Sequence, residues 1–240
     1  MDVHNLSDDE GYNSKSLGAK HVWHGRGENK DRQPLNGYPL VFQMHIKILG
    51  TRGEIRLAHP KHVRHSGVLI DKKLLFDLGE KAFLKWNPRS IFITHLHPDH
   101  AFFMASAEEI TIDVPVFAPE TSHRLTAMKV IAVPMQLGRY KITPIPVTHS
   151  IKVKALGFLI EKGDKRIFYT GDLISVRERY FETLGKLDAV ITEASFLRKG
   201  GLVRKNEQGE IFGHAGVSDL VNLFSTFTSR IIFTHFGSCF

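Results

Sequence analysis

Four apolar runs, each closing on a side chain that can bind a metal, constrain this chain more than any other feature. SIFIT is followed by His95, KITPIPVT by His149, RIFYTG by Asp172 and RIIFT by His235. Short apolar runs bounded by turn residues read as buried strands. A residue just past such a strand stands in a loop that a rigid sheet holds in place. One such residue alone reads as a cap or a satisfied core group; four strand ends with the same pattern point to ligation.

The densest of them is His95-Leu96-His97-Pro98-Asp99-His100, with four metal-binding side chains in six residues. His95 and His97 are two apart, so in extended backbone they point the same way and can grip one ion. Pro98 cannot continue a strand and suits a turn, which sends Asp99 and His100 towards a second ion. The other apolar runs fit the same pattern of short strands. HIKILG opens a strand after Met44, GVLID and KLLFDLG read as a hairpin around Asp71-Lys72-Lys73, and VPVFA, ALGFLI and DAVITE follow. The clearest helix spans 218–229, with Ser218 as N-cap and Leu220, Leu223, Phe224 and Phe227 on its buried face. Many strands with few helices imply a layered α/β protein.

Residues 1–43 carry no helical or strand period and end in the turn-like QPLNGYP, so they read as a flexible extension or added tail, with residues 44–240 as the catalytic domain. Met44 is a candidate natural start, and His21 and His24 form an isolated, incidental pair in the tail. The tail holds five basic and six acidic side chains, so the overall +7 becomes +8 on residues 44–240. Such a domain favours anionic partners such as phosphate esters or nucleic acid. The hydrophobic fraction of 42% excludes wholesale disorder. The sequence has no apolar run of membrane-spanning length and its first ten residues have no apolar stretch, so we expect no membrane association and no secretory signal. With Cys239 as its lone cysteine it forms no intrachain disulfide, which reads as cytoplasmic.

The series H-x-H-x-D-H, His149, Asp172, His235 resembles the metallo-β-lactamase superfamily across essentially all of residues 44–240. The resemblance implies a four-layer αβ/βα sandwich with a two-metal site at one edge. By carry-over, His95, His97 and His149 hold the first metal, Asp99, His100 and His235 the second, and Asp172 bridges them. Imidazole and carboxylate ligands without thiolate suit two Zn2+ ions, with Mn2+ or Fe2+ as alternatives. Thr148-His149 lacks the Pro-Gly-His turn of thioester- and lactone-cleaving branches, and the segment from Pro146 to Leu173 is most similar to RNase Z and the cyclic phosphodiesterases. ITEASF and GHAG resemble the later RNase Z motifs, which makes Glu193 and His214 a proton relay and, with Asp99, the catalytic residues.

The implied activity is metal-dependent hydrolysis by a hydroxide shared between the two ions, with a nucleotide or other small phosphodiester as substrate. A lactonase or carboxylic esterase is the alternative enzyme, and an RNA-binding protein with a structural metal site is the alternative of another class. Arg52, Arg56, Arg198, Lys199, Arg204 and Lys205 are cations that can gather an anionic substrate. RNA as a partner and a homodimer both stay open. Two features depart from RNase Z. Only 22 residues lie between His149 and Asp172, so no tRNA-gripping arm fits there, and five residues follow His235, so either the sandwich closes differently or the sequence is shortened.

Overall fold

A computed structural model describes residues 43–55 and 62–237. The tail, His21, His24, Arg56 and Cys239 lie outside the described residues.

The first sheet contains β1 (Ile46–Gly50), β2 (Gly67–Ile70), β3 (Leu74–Phe76), β4 (Ser90–Phe92), β5 (Val116–Ala118) and β6 (Lys129–Val130), adjacent in that order. Its first three strands pair antiparallel and the rest parallel. The second sheet contains β7 (Met135–Leu137), β8 (Tyr140–Thr148), β9 (Leu156–Lys162), β10 (Lys165–Tyr169), β11 (Ser175–Val176), β12 (Ala189–Ala194) and β15 (Ile231–Phe236). A small hairpin, β13 (Leu202–Lys205) with β14 (Ile211–His214), precedes the longest helix among the described residues, α2 (Val217–Phe224). A short helix, α1 (Phe181–Leu184), precedes β12.

Period-two alternation sorts the apolar residues into three cores. Val68, Ile70, Leu74, Phe76 and Phe92 point between the sheets, where they meet Ile142, Phe158, Ile160, Ile167, Tyr169 and Ile191. The intervening Leu69, Leu75 and Ile91 face outward onto Phe83, Phe103 and Leu125. On the other outer face, Leu159, Phe168 and Val190 pack on Leu184, Leu220 and Phe224. Both sheets are thus covered on both faces, which is why their strands read as continuous apolar runs. The architecture is the expected α/β metallo-β-lactamase-type sandwich, with outer layers built largely from short helical turns at Lys81–Trp86 and Phe102–Ala105.

The hairpin around Asp71 forms as expected, with β2 antiparallel to β3. Asp71 and Lys72 both have positive φ, 50° and 57°, the backbone of a tight type I′ turn. Asp71 holds that conformation with its carboxylate: Oδ1 accepts from His45 N (2.8 Å), and Oδ2 from Tyr140 Oη and Lys162 Nζ (both 2.6 Å). Burial opposes its charge, yet these hydrogen bonds hold the carboxyl below its usual range. One side chain thereby ties the first sheet to β8 and β9 of the second.

The helix expected over 218–229 is shorter and starts earlier. It spans Val217–Phe224 with Gly216 as N-cap, and Ser218 lies inside it. Ser225 Oγ donates to Val221 O and Thr226 Oγ1 to Leu223 O, so hydroxyls compete for the carbonyls that would continue the helix. Among the described residues, no helix is long and apolar enough to cross a membrane.

Phe92 stacks on Phe76 and Phe117 at 5.2 and 5.1 Å between ring centroids and meets Phe158 edge-on at 5.5 Å. Phe92→Ala is expected to destabilise the domain by about 3–5 kcal/mol, read as a lower urea midpoint at unchanged slope.

Candidate metal centre

β4 and β8 lead directly into His95 and His149, and the loop after β10 carries Asp172. The C-terminal half of β15 delivers His235 by a bulge. β12 and β15 pair in parallel with Glu193 opposite Thr234 and Ala194 opposite Phe236, which leaves His235 as the extra residue. Its φ of 53° is the left-handed conformation a bulge residue can adopt and a histidine seldom does.

All seven sequence-predicted ligands come together. The ligand atoms of His95, His97 and His149 form one group, and those of Asp99, His100, Asp172 and His235 a second, each within 4.8 Å. Asp172 lies between them: Oδ1 is 3.3 Å from His100 Nε2, while Oδ2 is 3.3 Å from His235 Nε2, 3.9 Å from His95 Nε2 and 4.0 Å from His149 Nε2. A third group joins His149, Asp172 and His214.

Hydrogen bonds at the far nitrogen of each ring fix which nitrogen faces the centre. His100 Nδ1 donates to Asp77 Oδ2 (2.7 Å) and His149 Nδ1 to Gly213 O (3.0 Å). Thr94 Oγ1 donates to Asp77 (3.0 Å), which leaves its lone pair to accept from His95 Nδ1 (3.0 Å). Ser195 Oγ donates to Glu193 Oε2 and accepts from His235 Nδ1 (2.9 Å). In all four rings Nε2 is thereby turned towards the centre, where that of His235 meets Asp99 Oδ2 at 2.8 Å and that of His100 finds no hydrogen-bond partner. His97 is the exception, presenting Nδ1 at 3.0 Å from His95 Nε2 and 3.4 Å from His149 Nε2.

Bare nitrogens this close to one another repel unless a cation lies between them. His100 Nε2 and Asp172 Oδ1 are buried polar atoms with no hydrogen-bond partner, so the cluster has the unsatisfied donor set that a divalent ion completes. The electrostatics differ between the two groups. Burial pushes His95, His97 and His149 below the usual histidine range, the neutral form ligation needs. In the second group the Asp172 and Asp99 charges outweigh burial and raise His100 and His235, and these rings in turn hold the two carboxyls low.

Glu193 and His214 meet as expected. Glu193 is buried, and His214 Nδ1 donates to its Oε2 at 2.8 Å. Burial disfavours the imidazolium, but the Glu193 charge and hydrogen bond raise His214 to about 9. Glu193 Oε1 also accepts from Leu173 N at 2.6 Å, which pins it beside Asp172.

Asp77, Thr94, Ser195 and Gly213 are the site residues that sequence reading missed. Asp77 left a signal, a lone carboxylate closing the apolar LLF of β3. It has φ 59° and gathers bonds from Thr94 N, Thr94 Oγ1, His100 and Tyr169 Oη. Gly213 has φ 124° and a Cβ there would lie 1.9 Å from Leu202 O, so only glycine lets the hairpin close against His149. The cations expected to gather substrate divide. Arg52 bonds His65 Nε2 at 2.7 Å and Arg198 bonds Gly201 O, so neither is free, whereas Arg204 and Lys205 stand exposed on the hairpin and Lys199 in the turn before it. A cavity of about 250 Å3 opens over the cluster, floored by His97, Asp99, Asp172, His214 and His235 and walled by Ile55, Phe196 and Leu202.

Solved structures share this fold. YhfI of Bacillus subtilis, a metallo-beta-lactamase fold protein, is 18% identical with a TM-score of 0.58, covering 82% of this chain and 88% of its own. A diphosphatase from the PhnP family is 17% identical (TM-score 0.59, 82% and 88% covered), and the short form of human tRNase Z, ELAC1, is 17% identical (TM-score 0.56, 81% and 93%). No curated protein matches by sequence. The Beta-lactamase superfamily domain matches residues 85–236, which spans every proposed ligand and more than half of the chain. The chain therefore belongs to the beta-lactamase superfamily.

Proposed function

We propose that this protein is a binuclear metal-dependent hydrolase of phosphodiesters, acting on nucleotide-like or other small anionic substrates. The observation that carries the reading is the Glu193–His214 pair beside the cluster: an imidazolium held to about 9 by a buried carboxylate, facing a site rich in nitrogen and carboxylate ligands. A fixed positive donor suits a reaction in which negative charge builds on phosphoryl and leaving oxygens. The fold neighbours named as a diphosphatase and a tRNase Z support the same class.

His95, His97 and His149 would hold the first cation, Asp99, His100 and His235 the second, with Asp172 spanning both; zinc suits this donor set best. Bound there, divalent cations supply Lewis acidity and bring water towards a pKa of about 7. Asp99 orients the attacking water and takes its proton. His214 donates its Nε2 proton to the leaving oxygen, while Glu193 keeps the ring aligned through Nδ1. Ile55, Phe196 and Leu202 shield the reacting group from bulk solvent.

The zinc- or manganese-loaded protein is expected to hydrolyse bis(p-nitrophenyl) phosphate, and His97→Ala to lose bound metal together with activity. Hydrolysis of lactones or carboxylic esters but of no phosphodiester would replace this reading with the esterase one. His214→Ala is expected to lower kcat by about 10²–10⁴ at unchanged metal content. Because His214 is raised to about 9, its donor form exists below that pH, so wild-type activity falls as pH rises through about 9. The same alkaline limb should be missing from the pH profile of His214→Ala.

Among the described residues, Ser195 supplies the hydroxyl that accepts from His235 Nδ1. Ser195→Ala is expected to weaken metal affinity by about 10–100-fold, with Ser195→Thr retaining it. Isothermal titration with zinc reads this separately from turnover.

A further inference from the structure

The ends of the strands opposite the metal centre frame a second concave site. A cavity of about 510 Å3 is lined by residues from four places: the β2–β3 turn, the start of β4, the β7–β8 turn and the end of β9. β4 and β8 begin at this cavity and end at His95 and His149, so the two sites lie at opposite ends of the same strands.

Its floor is a cluster of the buried Tyr140 with the partly buried Asp71 and Lys162. The Asp71 charge is already met there by Lys162 Nζ and Tyr140 Oη, both at 2.6 Å. Lys73, Arg89 and Arg139 line the same cavity, each exposed, and among the described residues none has a carboxylate or hydrogen-bond partner for its charged head. The cavity has no other acidic lining residue. The backbone holds these cations together, since Arg89 N donates to Lys73 O at 2.7 Å and Arg139 follows the left-handed Gly138 turn into Tyr140. Some cations near the end of β9 are paired instead, Lys141 and Arg166 with Glu161 and Lys165 with Asp188.

Three like charges around a concavity repel one another and concentrate an anion's field lines. Arg and Lys together are the side chains that grip phosphate, the guanidinium by paired hydrogen bonds and the ammonium as a point charge. Three cations match the charge of a linked diphosphate more closely than that of a single phosphate group. The volume falls in the range of small-ligand sites, and Leu74, Leu137 and the Tyr140 ring offer an apolar wall. We propose that this cavity is a second ligand site, distinct from the metal centre, for a compact organic molecule carrying two or more linked phosphates. The same chemistry is offered by a free nucleoside diphosphate or by consecutive phosphates of a single-stranded nucleic acid.

The test uses the full chain, 15N-labelled and with its metals, titrated with α,β-methylene-ADP and, separately, with a ten-nucleotide oligo-dT. The expected result is movement of the amide signals of Lys73, Ser90, Arg139 and Tyr140, with affinity lowered at least tenfold in Arg89→Ala/Arg139→Ala. That variant leaves the hydrolysis of bis(p-nitrophenyl) phosphate unchanged, because neither residue touches the metal centre. Tighter binding of the nucleotide identifies a free diphosphate as the source, and tighter binding of oligo-dT a nucleic-acid strand. Movement confined to the surroundings of His97 and His214, or equal affinity in wild type and the double variant, overturns the proposal. The reverse-charge variant Arg89→Glu, checked for an unchanged melting temperature, repeats the comparison should the double variant misfold.

Discussion

Mutual repulsion among buried ligands is the constraint on which the rest of this structure depends. Seven histidine and aspartate side chains are aimed at one small volume, and their facing atoms lie within 4.8 Å inside each group. Such an arrangement is unfavourable for an isolated chain and needs two kinds of support. A cation offsets the charge and lone-pair repulsion, and a rigid outer ring of acceptors holds each imidazole in one orientation. The two three-strand parallel segments, β3–β4–β5 and β10–β12–β15, supply the rigidity. Parallel strands buried on both faces end together, and their ends can therefore present several loops to one site.

The outer ring uses few residues to orient many. Asp77 serves His100 directly and His95 through Thr94, while also taking the Tyr169 hydroxyl from the inter-sheet core. Glu193 serves His214 directly and His235 through Ser195. Two buried carboxylates thus govern four of the six histidines. Each sits at a strand end, where the sheet fixes its backbone and the loops beyond remain free to vary.

The ligand set was legible in the sequence because metal chemistry demands particular residue types and strand ends repeat the same punctuation. His95 to His100, His149, Asp172 and His235 stand out one by one, and the comparison with RNase Z motifs added Glu193 and His214. The orienting residues were not legible, because Thr94 and Ser195 are ordinary residues until the fold places them under a ring. Asp77 was visible only as a carboxylate in an apolar run. On the fold, the buried strands were readable from their apolar runs, while β6, β11 and the β13–β14 hairpin are too short or too polar to show a period. The shortened α2 has a local cause, since the hydroxyls of Ser225 and Thr226 compete for its last carbonyls.

The serine between Glu193 and His235 has a consequence for how the site can evolve. A hydroxyl carries one proton, and Glu193 takes it, so the direction of every bond in that chain is set from the carboxylate outward. An alanine or a valine there would break the chain, and an asparagine, which has both an acceptor and a donor, would need a longer side chain in a space sized for one hydroxyl. Threonine alone among the common residues repeats the same one-proton logic at the same reach. A side chain at position 195 thus has to both donate and accept at short reach, although it need never touch a substrate.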